Sequence, residues 1–501
     1  MTTRVAVAAP NGHATGAALR VVAEGGGAVD AAVAAMLVTM VTEPGIVSLA
    51  GGAFTTVWPA GEPAAVTVDG YVAMPGLGGR REPAVHDVVT DYGAGVTMTA
   101  GLGSVAVPGA VAGLALVQER WGHLPWREVV GPATEVARTG FTLGAASGYY
   151  LPYVRDSLFG WDPQTRAALE GPDGRWLETG DLVVVTDLAD TLAMLAAVGP
   201  DAFYTGDVAA IMAEDMADRG GLVSAEDLAA YRPVVRPALD VDVGAWRLRT
   251  NPPPAIGGAV LAAMLTLLGD RPRGEWTRDD VAHLVEVQRQ VLEVRRERID
   301  LADDRGAAAW ELLRGVGHAG ATSPSTAHVS VVDSDGGACA VTSSYGYGSG
   351  ATVPGTGLWL NNCLGERELN RGAQPPPGTH LASNMAPTVG RRADGAALAI
   401  GSPGADRITT ALLQVLASYA NGGTTLQAAV DRPRLHVHHV EGGGVRVDAE
   451  EDLPLPVLEL EVRRHHPHSM YFGGVAATGV TPDGGLQAAG DPRRAGAVAI
   501  G

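Results

Sequence analysis

The segment Ser325-Thr326-Ala327-His328-Val329-Ser330-Val331-Val332-Asp333 puts a hydroxyl residue at the head of an alternating apolar run, behind a loop containing Pro324. A threonine so placed becomes a complete catalytic unit once the chain is cut in front of it. Its hydroxyl attacks a carbonyl, and its freed α-amine, a far weaker base than lysine, takes the proton. The same pattern also describes an ordinary structural threonine at a strand start, so the segment alone does not decide. Six histidines, His436, His438, His439, His465, His466 and His468, form the other visible collection of donors. They lie on two strand-like stretches at spacings that fit no common zinc pattern, without acidic partners at ligand spacing. A solvated histidine-rich surface is expected there, and no metal. Residues 346–350 are glycine-rich but lack the Lys-Ser/Thr of a phosphate loop. Residues 76–79 lack the strand-turn-helix setting of a dinucleotide site.

The elements that must carry Thr326 follow from periodicity. Residues 327–341 read as strand, turn at Asp335-Gly336-Gly337, and strand again. Upstream, a strand over 5–9 precedes a helix over 14–24. Asp30 is expected to cap an apolar helix over 31–42, which ends near Glu43-Pro44. Residues 51–58 read as a Gly-rich turn feeding a buried strand, and 108–121 as a helix opened by Pro108. The middle, roughly 125–320, is mostly helical, with an amphipathic pattern over 281–302. Further on come a strand at 358–360, a strand over 397–400, a helix over 407–421 and a hairpin turn at 482–485. Strands separated by helices, with hairpins gathered late, imply layered α/β or α+β architecture.

Composition supports a large core. The chain has 501 residues, 46% hydrophobic and 18% charged, with a formal net charge of −19. No Lys/Arg cluster is long enough for a nucleic-acid face, so no nucleic-acid partner is expected. Two cysteines make neither a disulfide framework nor a metal cluster. No stretch reaches about 18 uninterrupted apolar residues, and the N-terminus shows no secretory pattern. No membrane partner and a cytoplasmic location are the corresponding expectations.

Seven landmarks, in order along the chain, then carry a family resemblance. They are Glu24–Ala35, Gly51-Gly52-Ala53-Phe54, Gly103–Leu114, Asn251–Gly258, the 325–333 segment, Gly401–Ile408 and the Asp491-Pro492-Arg493-Arg494 tail. Together the chain resembles the γ-glutamyltranspeptidases, autoprocessing hydrolases with an N-terminal nucleophile. The resemblance implies a four-layer αββα sandwich of α+β type. It also implies cleavage between Ser325 and Thr326, giving a large segment 1–325 and a small catalytic segment 326–501 that stay paired, with a dimer of such pairs as a further option. Thr326 would be the nucleophile, Ser344 the second hydroxyl near its amine, and Gly404 with Ala405 the oxyanion loop. No cofactor is implied.

Other positions depart from the family pattern. Tyr71 stands where an arginine should clamp the substrate's α-carboxylate, and a phenol cannot replace a bidentate guanidinium. Arg80 or Arg81 would have to reach in from the next loop. Ser383 and Asn384 replace a Ser-Ser pair. Cys363 replaces a polar residue, Glu366 takes the place of the carboxylate that grips the α-ammonium, and Gly346 falls where an asparagine is usual. The nucleophile machinery is kept and the glutamate-recognition set rebuilt. The expected activity is therefore cleavage of an amide or activated C–C acyl bond in a small acylated metabolite, with a natural-product pathway as a plausible setting. A γ-glutamyl hydrolase or transpeptidase acting on glutathione-like compounds is one alternative. An unprocessed binding protein is the other.

Overall fold

A computed structural model describes residues 3–79, 81–92, 95–271, 274–315, 326–440 and 443–501. The strands of its two central sheets are β1 (Val5–Ala9), β2 (Gly52–Trp58), β3 (Val66–Gly70), β4 (Val234–Pro237), β5 (Leu239–Val243), β6 (Trp246–Thr250), β7 (Ala327–Asp333), β8 (Ala338–Ser344), β9 (Thr388–Arg391), β10 (Ala397–Gly401), β11 (Ala476–Val480), β12 (Leu486–Gly490) and β13 (Ala497–Ile500). One sheet runs β13-β1-β7-β8-β2-β3-β4 and the other β12-β11-β10-β9-β6-β5. Strands from both sides of residue 326 enter both sheets, and β1 pairs directly with β7 (Val5 opposite Asp333). Neither segment therefore owns a complete core.

The sheets face each other through small side chains. Ala6, Ala338, Ala340 and Ala399 pack with Val332 and Val389 between them, which allows the close approach of two pleated faces. Helices cover the outer faces: α1 (Gly12–Ala23), α2 (Ala28–Thr42) and α3 (Ala110–Trp121) on the first sheet, with α4 (Trp126–Thr139) behind α2. On the second lie α6 (Ile256–Leu268) and α8 (Arg407–Gly422), with α7 (Arg278–Val294) packed on α6. A further helix, α5 (Ala145–Val154), lies beside the site described below. The four-layer αββα order is thus present.

Every residue of α2 is buried. Its Ala-rich sequence is apolar on all faces, as a helix enclosed on every side must be. Truncating Leu37 inside it would cost about 2–5 kcal/mol. The cap expected at Asp30 is displaced by three residues. Gly27 is the N-cap, and the Asp30 carboxylate reaches back to the Gly27 N–H at 2.8 Å. The other Asp30 oxygen accepts from the Leu124 N–H at 2.8 Å, so the residue fastens the helix start to the next layer. Elsewhere the expected elements match within a few residues, except that the 281–302 helix changes to a π turn over Arg295–Ile299.

Candidate active site

Thr326 sits one residue before β7 and is 2% exposed. The antiparallel register pairs Ala327 with Ser343. One step further places Thr326 opposite Ser344, the last residue of β8. The two hydroxyl residues named from sequence therefore meet at the open end of adjacent strands. Ser344, expected on weaker grounds because a loop serine would look the same, is buried, and its Oγ accepts from the Gly346 N–H at 3.1 Å. Ser325 and the rest of 316–325 lie outside the described residues, as does Arg80.

Behind Thr326, His328 points into the sheet interface. Its Nε2 lies 2.8 Å from Ser330 Oγ and its Nδ1 2.7 Å from Thr342 Oγ1. Ser330 spends its one proton on the Ala476 carbonyl. The network therefore assigns the ring proton to Nε2, with Thr342 donating to Nδ1. Burial pushes the imidazole down to about 3, so it stays neutral and acts as a strut.

Across the cavity from Thr326 runs the 401–406 turn. Pro403 shares the cavity with Thr326 and His328. Gly404 has φ +123°, and a Cβ there would sit 2.7 Å from Gly473 Cα, so only glycine fits. Ala405 has φ +66° and bears the steric cost of a left-handed alanine, about 1–2 kcal/mol. The expectation that a backbone donor survives at Ala405 requires this conformation, and the chain adopts it. Asp406 anchors the turn. Its carboxylate bonds Arg407 Nη1 at 2.6 Å and lies 3.0 Å from His436 Nε2, while His436 Nδ1 lies 3.1 Å from Thr410 Oγ1.

This corrects the surface reading for the first histidine stretch, where His436 and His439 are buried and His438 is half-buried; in the second, His466 and His468 are exposed as expected and His465 is half-buried. The covering helices α7 and α8 close over the strand Leu435–His439. Asp406, His436 and His438 bring ligand atoms within 4.8 Å of one another, the described cluster most able to hold a metal. Both His436 nitrogens and the Asp406 carboxylate are already committed to partners within the fold, which makes the group an anchor for the turn.

The residues expected on the substrate side begin one loop beyond Ser344. Gly346 has φ +71°, and a side chain there would strike Asn362 Oδ1 at 2.2 Å and Glu366 Oε1 at 2.9 Å. Asn362 fills the space instead, accepting from the Tyr347 and Gly348 N–H groups. Tyr71 is buried against Phe54, with its hydroxyl 3.7 Å from Cys363 Sγ. Ser383 belongs to the same group: it interacts with the Tyr71 phenol, and its carbonyl receives the first N–H groups of α6. Asn384 is buried behind it, its carbonyl pressed onto Gly257.

Glu366 is fully buried. Cys363 approaches its carboxyl, yet neither oxygen has a partner at hydrogen-bond geometry. Burial first, then Glu368, pushes this carboxyl well above the usual carboxylate range. Burial likewise raises the Tyr71 phenol and the Cys363 thiol. This buried group carries protic side chains where the family pattern has a guanidinium.

Two cavity residues have no counterpart in the sequence reading. Glu43 accepts from Asn11 Nδ2 at 2.8 Å and Ser147 Oγ at 3.0 Å, and burial raises its carboxyl. Arg494 lines the same cavity as Thr326, and its Nε is buried without a partner. Their only sequence signals were a helix-ending Glu-Pro and an Arg pair in the tail.

The Gamma-glutamyltranspeptidase family model matches residues 14–501. The glutathione hydrolase proenzyme of Escherichia coli (strain K12) is 28% identical, over 97% of this chain and 90% of that one. The acylase ACY 1 proenzyme of Pseudomonas sp. (strain SE83) is 29% identical, over 95% and 90%. Among solved structures, the cephalosporin acylase from Bacillus halodurans superposes with a TM-score of 0.80 at 23% identity, over 99% of this chain and 96% of that one, a likeness of fold. Among the described residues, no helix is long and apolar enough to cross a membrane.

Proposed function

The chain belongs to the gamma-glutamyltranspeptidase family, and from that premise we propose that it is an autoprocessing acylase-type hydrolase with Thr326 as its nucleophile. The observation that carries this is the placement of Thr326: buried at the head of β7, in register with Ser344, and lining one cavity with Pro403, the residue before the 404–405 turn. Cleavage before Thr326 would free the α-amine. Thr326 Oγ then bonds to the substrate carbonyl carbon while its proton passes to the amine. Backbone N–H groups of the 404–405 turn would hold the oxyanion, a contribution typically worth about 3–4 kcal/mol per donor. For an amide, the C–N bond breaks and the departing nitrogen takes the proton. Water then attacks the ester and releases Thr326. For an activated C–C bond, the departing carbon takes the proton instead, so a neighbouring carbonyl must delocalise its charge.

The acyl group is a small one without an α-carboxylate, since Tyr71 occupies the clamp position. Glu366 faces its far end. The acylase and glutathione hydrolase relatives are proenzymes by name, which supports a large/small pair, 1–325 with 326–501, from one precursor. The shared sheets would hold the pair together after the cut. A natural-product pathway suits an acylase whose glutamate clamp is gone.

Intact-mass measurement on freshly purified protein tests the assignment. Fragments 1–325 and 326–501, the second starting at Thr326, are expected. A chain that stays whole on prolonged incubation overturns it.

A further inference from the structure

Beside the Thr326 cavity lies a second space of about 220 Å3, walled by Tyr92, Tyr149, Tyr153 and Tyr471 over Arg407. Three segments join the two. Helix α5 sends Ala146 to the cavity and Tyr149 and Tyr153 to the cleft. The 403–407 turn sends Pro403 to the cavity and Arg407 to the cleft. The 471–474 segment sends Gly474 to the cavity and Tyr471 to the cleft. Each segment crosses from one space to the other within about two helical turns of chain, so the spaces adjoin.

The walls are chiefly aromatic, with Asp91, His465 and His466 as titratable neighbours of Arg407. Tyr92 meets Tyr149 and Tyr153 edge-on at 6.5 and 5.8 Å, and Tyr471 stacks on His465 at 4.5 Å. Tyr149 is 48% and Tyr153 39% exposed, an open aromatic surface. Arg407 lines the cleft, with Arg407 and Arg463 both over the Tyr471 ring, while Arg494 lines the adjoining Thr326 cavity and acts electrostatically on both Tyr149 and Glu43. Arg407 and Arg463 have partners, Asp406 and Asp448. Among the described residues Arg494 has neither ion pair nor side-chain hydrogen bond, and its stem lies where a Cβ on Gly474 would be. A partly buried guanidinium left unpaired, beside an aromatic wall, is a preformed anion receptor.

We infer that this cleft is the subsite for the departing or accepting half of the substrate, and that it takes a flat aromatic group carrying a carboxylate, with Arg494 as the carboxylate's partner. This rests on Thr326 being the reacting residue of the adjoining cavity. An apolar cavity of about 150 Å3 already holds a benzene ring, so the cleft has room for a substituted ring.

Two small probes separate the claims without any turnover. The first is 5-amino-2-nitrobenzoate, aromatic and anionic; the second is 4-nitroaniline, aromatic and neutral. Absorbance titration of the protein as isolated should show the anion binding at least tenfold tighter. Arg494→Gln should erase that preference while leaving 4-nitroaniline unchanged, and Arg494→Lys should keep part of it. Tyr149→Ala should weaken both probes several-fold. A circular-dichroism spectrum like the wild type's, for each variant, shows that the fold survives. The proposal fails if the wild type binds both probes equally or neither, or if Arg494→Gln keeps the preference. Failure of self-cleavage, read by mass, would instead strike the Thr326 assignment and leave the titration standing.

Discussion

The two halves of the site have diverged by different amounts. On the proposed assignment, the catalytic parts at the head of β7 are largely backbone and position: a residue at a strand start, a hydroxyl one register step across, and N–H groups of a tight turn. Around Tyr71, recognition is all side chain, and there nearly every position departs from the family pattern. Backbone geometry survives substitution. Ala405 keeps the N–H that a glycine would supply. A guanidinium clamp cannot survive replacement by a phenol. On the proposed assignment, the chemistry of bond cleavage would be held by the fold, and the choice of substrate by a few replaceable groups.

The largest test of this contrast is Thr326→Ala. It should leave a folded but uncut chain, with activity on any acyl substrate down by at least about a thousandfold. Thr326→Ser, which keeps a hydroxyl nucleophile, should restore cleavage to fragments on mass analysis. If Thr326→Ala still cleaves or turns over substrate, the catalytic half is misassigned.

Next in size comes the lost clamp. A γ-glutamyl 4-nitroanilide and a 4-aminobutyryl 4-nitroanilide differ only by the α-carboxylate. An enzyme with a buried Arg–carboxylate pair would separate them by about 2–5 kcal/mol, on the order of 30-fold or more in kcat/KM. Here the ratio should lie within a few-fold of unity. A strong preference for the γ-glutamyl compound would mean that another cation, such as Arg81, has taken over the clamp.

The recognition half also predicts a pH signature. Burial raises the Glu366 carboxyl above its unfolded value. The native state therefore binds that proton more tightly than the unfolded chain. Stability from this source is complete below the unfolded pKa, near 4.3, and is lost as pH climbs toward the folded value. Glu366→Gln removes the titration. Thermal melts should show the variant ahead of the wild type at pH 8, by about 1–3 kcal/mol, the usual cost of a buried group with unmet bonds. The gap should close toward pH 5. A constant gap would mean that Glu366 is charged and paired throughout.

How much of this could be read in the sequence follows the same division. The β7–β8 hairpin and the 401–408 turn were legible because short-range pattern encodes them: alternation, a turn signal, a Gly-rich corner; the choice of Thr326 came from the family resemblance, since its own segment fits an ordinary strand start as well. The αββα layering came from the resemblance and is what the sheets display. Arg494, Glu43 and Tyr149 were not legible. They come from three distant segments, and only the long-range packing of α5, the tail and the α2 end puts Arg494 and Glu43 around one cavity and Tyr149 around the next. The histidines misled for a related reason. His436 and His438 share one side of an alternating strand, a pattern that reads as half-exposed until α7 and α8 cover it. Asp30 misled because an aspartate can close a capping box from the third helical position as readily as it can cap from the first.

The smallest effect, and the sharpest check on the backbone argument, concerns Ala405. Its φ of +66° is a conformation that glycine adopts freely and alanine does not. Ala405→Gly should relieve the strain, while glycine's greater freedom in the unfolded chain offsets part of the gain. A net stabilisation of about 0.5–1 kcal/mol is expected in chemical denaturation. Because the N–H at 405 is untouched, kcat should change by less than about threefold. A large loss of kcat with stability gained would show that the alanine methyl itself shapes the turn against substrate, and that the catalytic half has been tuned by side chains as well.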